Sequence, residues 1–366
     1  MILVDFSAIM HQMIYGSINA VKPKKIDGTF ITSEFINVAK SFILNELFNI
    51  SRRFINYGEM VIALDNSSSW RKRVYAPYKS SRKDSREKSE INYTEVFIEI
   101  NKLTDTLKEY TPFKVLDVQN AEGDDIILVL AEENGKKGIP TMIISADKDM
   151  LQAQKYPCVK QYSPISKKFL SPEQKAEGDV SSDPLEEWII EHVCLGDESD
   201  EIPKITDGTR FSKEFSEHLQ TIGLGDMTPL DFEKDLQKQK FSLENYNVHL
   251  VSRKGETLGL KIFDNPKIGP KTIKKEIQKF GCLNDWVNSS DILREHFNRN
   301  KELILMEYIP ENIKGKILSE YGSADNAYHE KEFTEYCRNN NLGALLADLP
   351  NNFTNGLSVD SLLEGW

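Results

Sequence analysis

The chain has 366 residues, 39% hydrophobic and 28% charged, with a formal net charge of −11. That length suits two or three domains at roughly 150 residues each, and the composition fits a chain that buries a sizeable core in water. There is no apolar run of the ~18 residues a membrane span needs, no basic n-region in Met1–Asp5, and no C-x-x-C pair among Cys158, Cys194, Cys282 and Cys337. Secreted, membrane and disordered classes are therefore excluded at this level. A cytoplasmic setting with reduced thiols is expected, with no membrane partner.

In chain order, Ile2–Val4, Val61–Leu64, Lys114–Val118 and Met142–Ser145 read as buried strands. Between them, residues 34–57, 91–110 and 122–134 carry helical apolar spacing. Strand, helix, strand in this rhythm predicts an α/β fold: a central, mostly parallel sheet flanked by helices. Residues 66–90 are too polar and charged for core and read as a protruding segment with some helix. Beyond about residue 200 the strand signal weakens while Gly, Pro and Lys become frequent. Residues 205–265 hold no motif, and 267–281 and 309–321 read as short helices. The expected division is an α/β domain over 1–200, a smaller helical domain over 201–350 with an insertion at 205–265, and a tail over 351–366.

The placement of the acids is the most informative feature. Asp5 and Asp65 directly follow the first and second apolar runs, Asp147 and Asp149 follow the fourth, and Glu122-Gly-Asp124-Asp125 opens the helix after the third. Ligands of a parallel α/β sheet bind at the carboxyl ends of its strands, so separate segments would deliver carboxylates to one edge. Asp197 and Asp200 form a further pair, three residues apart. A single Asp after a strand is more often a turn or cap residue; the joint placement is what that explanation leaves open. Clustered ionised carboxylates need cations. Oxygen-only donors select a hard ion, Mg²⁺ or Mn²⁺, and two such ions suit phosphodiester hydrolysis.

Charge is segregated despite the acidic total. Residues 71–90 hold eight basic side chains against three acidic, and residues 261–281 hold six Lys against two acids. In the first island, Arg71, Arg73, Tyr75, Tyr78, Lys79 and Arg82 interleave cations with rings, which suits phosphates and bases of single-stranded nucleic acid. In the second, Gly269-Pro270 makes a turn at a helix start. Backbone N–H groups there can hold a phosphate with help from Lys271, Lys274 and Lys275. It is not a Walker A loop.

Six ordered blocks now stand together: Val4-Asp5-Phe6, Leu64-Asp65-Asn66, Tyr78-Lys79 with Arg82, Glu122–Asp125, Ser145–Asp149 and Gly196–Asp200. This set resembles the 5′ nuclease (flap endonuclease) superfamily. Ile268-Gly269-Pro270-Lys271-Thr272 resembles that family's helix–hairpin–helix, which grips duplex phosphates around a K⁺. The resemblance covers residues 1–320. It implies a 5′ nuclease fold and metal-dependent hydrolysis from a free 5′ end of DNA or RNA–DNA duplexes, exonucleolytically or at flaps. It further implies a stand-alone nuclease that removes lagging-strand RNA primers in phage replication, working as a monomer in the host cytoplasm.

By matching positions, Asp5, Asp65, Glu122, Asp124, Asp147 and Asp149 would surround a first Mg²⁺, with Asp125 of lower rank. Asp197 and Asp200 would serve a second, looser ion. Lys79 and Arg82 fall at the arch cations, in the segment at 66–90, and Tyr78 at a stacking position. One departure stands out: the family places the hairpin glycine just after the Asp-x-x-Asp block, whereas Pro203 and Gly269 lie more than sixty residues apart. Either an insertion splits the motif or the duplex module is rearranged. The tail Asp360–Trp366 is similar to peptides that hook a sliding clamp; its alternative is docking of Leu362, Leu363 and Trp366 on the chain itself. A clamp and a single-strand-binding protein are the implied protein partners. Two rival readings are a non-catalytic junction-binding scaffold and a PIN-like endoribonuclease. The intact acid set argues against the first, and the Gly-Pro-Lys-Thr block against the second.

Overall fold

A computed structural model describes residues 1–174, 181–238 and 262–342. The chain runs β1 (Ile2–Asp5), α1 (Phe6–Val21), β2 (Lys25–Ile26), β3 (Thr29–Phe30), α2 (Thr32–Arg53) and β4 (Met60–Ala63). It continues through α3 (Arg71–Val74), α4 (Ser81–Glu87), α5 (Tyr93–Tyr110), β5 (Lys114–Leu116), α6 (Gly123–Lys136), β6 (Thr141–Ile144), β7 (Val159–Ser163) and β8 (Lys168–Leu170). The remaining described elements are helical: α7 (Pro184–Leu195), α8 (Lys213–Thr221), α9 (Pro229–Lys238), α10 (Pro270–Phe280), α11 (Leu283–Val287), α12 (Asp291–Ile304), α13 (Glu311–Ser323) and α14 (Glu330–Asn339). Among the described residues no helix is long and apolar enough to cross a membrane.

Two compact units divide the chain. The first takes Met1–Ser69, Arg82–Ser171 and the described residues of Ile309–Trp366; the second takes Trp70–Ser81 and the described residues of Pro172–Tyr308. This differs from the expected break near residue 200. α13 packs on α6 and β5, and α14 on α5, so both rejoin the first unit. The reason is apolar. Phe333 and Cys337 of α14 are fully buried, and the Phe333 ring meets Phe48 of α2 edge-on at 6.3 Å. The tail at 351–366 lies outside the described residues.

The first unit is built on a six-stranded sheet in the order β5-β4-β1-β6-β7-β8, parallel except for the β7–β8 pair. β1 sits between β4 and β6, at the point where the strand order reverses. Its Ile2, Leu3 and Val4 are buried, as residues covered on both faces of a sheet must be. Asp5 ends β1 and its Oδ1 accepts from the Ala8 N–H at 3.1 Å, capping α1. The sequence reading leaves α1 out because Phe6–Val21 contains no Asp, Glu, Lys or Arg, so no polar stripe marks its period. Phe6, Ile9, Met10, Ile14 and Ile18 nevertheless fall at helical spacing and are buried.

Three small cores hold the second unit. Tyr78, Val193, Ile202, Leu303, Ile304 and Leu305 form one. Cys194, Ile205, Ile268, Ile273, Trp286 and Leu293 form another, which joins α7, α10, α11 and α12. Phe215, Leu219 and Phe232, with Phe211 and Phe263 packed on them, form a third from α8, α9 and their flanks. The third explains how residues without a motif still fold: their aromatic rings find one another.

The ends of the expected insertion are joined. Phe211 and Phe263 form an antiparallel bridge, and the Ser212 N–H donates to Ile262 O at 2.8 Å. The Asp264 N–H donates to Arg210 O at 3.0 Å, and Lys204 Nζ donates to Ile268 O at 3.2 Å. The chain thus leaves after Lys204 and returns at Ile268. α7 and α10 are in contact across this gap.

Candidate metal centre and its surroundings

In the first unit the strand register sets the acids level with one another. Asp5 pairs with Ala63 of β4, and Val4 pairs with Ile144 of β6, so Asp5, Asp65 and Ser145 leave neighbouring strands at the same carboxyl edge. Two hydrogen-bonded groups form there. Asp65 Oδ2 accepts from Ser7 Oγ at 2.6 Å and Oδ1 from the Gly123 N–H at 2.8 Å. Asp5 Oδ2 accepts from Ser145 Oγ at 2.8 Å, and that same Oγ accepts from the Asp147 N–H at 3.0 Å. Buried Gln161 supports the second group from below, donating to the carbonyls of Ser145 and Asp147 at 3.0 and 2.7 Å.

Space is tight where α6 meets β4. A Cβ on Gly123 would lie 3.3 Å from Asp65 Oδ1 and 3.4 Å from Ala63 O. Glu122 is nearly buried, while Asp124 is half-buried beside it. Asp125 is fully buried, and its Oδ2 accepts from the Glu122 N–H at 2.9 Å, which makes it a helix-capping group. Asp147 caps the 3₁₀ turn Lys148–Lys155, accepting from the Asp149 N–H at 2.9 Å. So the capping explanation and the ligand explanation both apply: the same hydrogen bonds that start the helices hold the carboxylates in place.

The donor set fits a hard cation. It consists of carboxylate oxygens from β1, the β4 and β6 termini and the α6 start, oriented by hydroxyl and backbone donors. Asp5, Asp65, Glu122, Asp124, Asp147 and Asp149 are the residues that would hold it. His11 lies in the field of Asp65, Arg82 and Arg86. Its imidazole is held below its ordinary value, first by burial and then by Arg86.

In the second unit, Gly196 ends α7 with φ of 64°, and a Cβ there would lie 2.3 Å from Ile202 O. Only glycine fits this turn. It delivers Asp197, whose Oδ1 accepts from the Ser199 N–H and Oγ at 2.8 and 2.6 Å. Asp200 accepts from Tyr78 OH at 3.0 Å and faces Lys79 Nζ at 3.3 Å. Lys79 itself is left-handed at φ 52°, a costly backbone state for a side-chain-bearing residue. The Lys79 N–H donates to Asp200 O at 3.1 Å, and the Ser81 N–H to Glu201 Oε2 at 2.8 Å, so the turn is fixed from several sides.

The basic segment corrects the sequence reading. Residues 66–90 are not uniformly outside: Trp70, Arg71 and Tyr78 are buried. Arg71 Nε donates to Leu303 O at 2.8 Å and its guanidinium lies over the Trp70 ring. Tyr78 packs among Val193, Ile202 and Leu303. Both are buried by different means: Arg71 by a ring beside it and a distant carbonyl, Tyr78 by apolar side chains more than a hundred residues away. Tyr75 is half-buried with Arg299 over its ring at 5.2 Å. Arg73 and Arg82 are exposed. At the second island, Gly269 caps α10 and Pro270 opens it, with Lys271 and Lys275 exposed and Thr272 and Lys274 half-buried. Gly269 has φ of −149°, ordinary extended backbone.

Sequence reasoning missed Ser7, Ser145 and Gln161, which orient the acids. Ser145 is adjacent to the Asp147-x-Asp149 pair, and only the register shows that it faces Asp5.

A mostly parallel sheet that gathers carboxylates at the reversal of its strand order defines an α/β protein with an acidic candidate site at that edge. Residues 1–177, just under half of the chain, match the model of the 5'-3' exonuclease N-terminal resolvase-like domain, which supports a place in the 5′ nuclease superfamily. It is 29% identical over 205 residues to ribonuclease H of Enterobacteria phage T4, covering 56% of this chain and 62% of that one. The match thus spans less than two thirds of that relative's length. A solved complex of the bacteriophage T5 flap endonuclease with DNA and metal ions has a TM-score of 0.52 at 14% identity, covering 93% of this chain and 98% of that one. That likeness concerns the fold. T5 5′-exonuclease with bound zinc gives a TM-score of 0.48 at 11% identity, over 94% and 99% of the two chains.

Proposed function

We propose that this chain is a divalent-metal-dependent 5′→3′ nuclease that hydrolyses phosphodiester bonds near a free 5′ end, in DNA and in RNA–DNA duplexes. The observation that carries the reading is the delivery of Asp5, Asp65, Glu122, Asp124, Asp147 and Asp149 to the carboxyl edge of the sheet where its strand order reverses. Bound Mg²⁺, or Mn²⁺ in its place, would supply the Lewis acidity that phosphodiester hydrolysis needs. The protein's own part is positional: Ser7, Ser145, Gln161 and the α6 start hold the acids before any ion arrives. Asp197 and Asp200 remain the candidates for a more loosely held ion.

Lys79 is the group proposed to neutralise charge on the reacting phosphate, with Arg82 beside it in sequence. The α10 start, with Lys271, Lys274 and Lys275, is proposed to grip duplex phosphates, with K⁺ at that turn. The superfamily assignment favours primer removal as the biological task. A sliding clamp and a single-strand-binding protein are the proposed partners.

The test uses the full chain with Mg²⁺ and three 5′-labelled substrates: a flap, a nicked RNA–DNA hybrid and a closed circle. The expected result is cleavage of the first two, an intact circle, loss of all cleavage in EDTA, and silence in Asp147→Asn. Binding without cleavage in Mg²⁺ or Mn²⁺ would leave the junction scaffold standing. Cutting of a closed RNA circle would favour the PIN-like endoribonuclease.

A further inference from the structure

The insertion is joined to the basic segment by a short chain of buried polar groups, all within the second unit. Glu233 lies on α9, inside the insertion. Its Oε2 meets His296 Nε2 at 2.5 Å and its Oε1 meets Arg299 Nη1 at 3.1 Å, both from α12. The His296, Arg299 and Glu233 side chains are 4%, 11% and 22% exposed, so this is not a solvated surface pair. His296 Nδ1 faces the Ile205 carbonyl at 3.0 Å. Each ring nitrogen of His296 thus meets an oxygen, one from the α9 carboxylate and one from the backbone.

Arg299 reaches the other way. Its guanidinium lies 5.2 Å from the centre of the Tyr75 ring, in the segment that presents Lys79. Arg299 is thus held by a carboxylate on one side and a ring on the other, and its buried Nη2 has no hydrogen-bond partner among the described residues. A guanidinium with a buried orphan nitrogen depends on its remaining contacts to stay in place. α12 forms the bridge between the two ends: Arg71 Nε is held by the carbonyl of Leu303, on the same helix.

We propose that Glu233 is a positioning residue: the insertion, through Glu233, Arg299 and Tyr75, fixes the segment Trp70–Ser81 and so the place of Lys79. The α8–α9 insertion is then a brace for the basic segment rather than a passive excursion from the hairpin. The cleavage consequence rests on the nuclease reading above; the brace itself does not.

Hydrogen exchange of the full-length chain without metal or DNA tests it, comparing wild type with E233Q, Y75F, Y75L and the double variant E233Q/Y75L. Loss of a charged hydrogen bond predicts about tenfold faster exchange over residues 70–81 in E233Q, with α7 and α10 unchanged. Y75F retains the ring and should match wild type. Y75L should reproduce E233Q, and the double variant should add nothing, as members of one chain of contacts behave. Faster exchange confined to residues 212–238 in E233Q, or additive effects in the double variant, would overturn the brace. General loss of protection in E233Q is separated by Y75L, which leaves the Glu233–His296 pair in place: an unchanged 70–81 segment in Y75L also overturns it. If the wild type cleaves, E233Q should lower kcat on a flap with little change in KM. If the wild type does not cleave, the nuclease reading fails while the exchange result still decides the brace.

Discussion

Asp5 and Asp200 are both proposed metal-site carboxylates, and the two units hold them by different means. Asp5 accepts from a serine hydroxyl and a backbone N–H. Asp200 accepts from a tyrosine hydroxyl and faces a lysine ammonium. Neutral donors orient a carboxylate while leaving its charge for an incoming cation; an ammonium opposes that charge. The first arrangement suits a tightly held ion and the second a weaker one. The same contrast assigns Lys79 two competing partners, Asp200 in the structure and a phosphate in the proposed reaction.

The largest expected effect breaks the first half of the comparison. Asp5→Asn removes a site charge while keeping the shape, and should lower Mg²⁺-dependent cleavage on the order of 10³-fold. Asp125→Asn removes a charge three residues after Glu122 but buried as a helix cap. It should cost about 1 kcal/mol of stability and leave the Mg²⁺ titration of cleavage unmoved. Equal loss of activity in both variants would erase the distinction between ligand and cap. Lys79→Ala comes next. Cleavage should fall about 10²-fold while Mg²⁺ binding, followed calorimetrically, tightens as Asp200 loses its ammonium. Weaker Mg²⁺ binding in that variant would contradict the opposing role given to Lys79. Ser145→Ala should cost about tenfold in apparent Mg²⁺ affinity, since it removes the donor to Asp5 and the acceptor of the Asp147 N–H together.

The two units also differ in how far their sequences could be read. Short apolar runs ending in Asp are visible by eye, and each became a strand of the expected sheet with its acid at the carboxyl end. The signal is local, because a parallel strand and the acid after it are adjacent in sequence. Helix α1 escaped because no charged stripe marks its polar face, although its apolar residues keep helical spacing. The second unit was hardly legible. Arg71 and Tyr78 look like solvent-facing groups beside seven other basic side chains and are buried through Leu303, Val193 and Ile202, which lie far along the chain. The insertion has no repeat or motif; its Phe211, Phe215, Phe232 and Phe263 are scattered until the fold assembles them. Ser145 shows a third kind of miss, a residue beside a recognised motif whose partner, Asp5, is set by strand register alone.

The smallest expected effect concerns the brace and sharpens the contrast at Glu233, the carboxylate held by cations on both sides. Burial would raise its carboxyl, but the His296 hydrogen bond and the charges of His296 and Arg299 outweigh that and hold it below its ordinary 4.5. A carboxyl depressed on folding adds stability that is fully present above the unfolded value and is lost as pH falls through the folded one. The groups around it do not blur this window. Tyr75 is pushed up by burial and so stays neutral across it. Asp207, near His296 and Arg299, is raised by burial and so works in the opposite sense, but it does so in wild type and variant alike. Melting temperatures of wild type and E233Q should therefore differ by the equivalent of about 1–3 kcal/mol at pH 6. The gap should close steadily below about pH 4.5, as Glu233 takes up its proton and comes to resemble the amide. Equal melting temperatures at pH 6 would mean that the Glu233 charge contributes nothing and that only its shape holds α9 against α12.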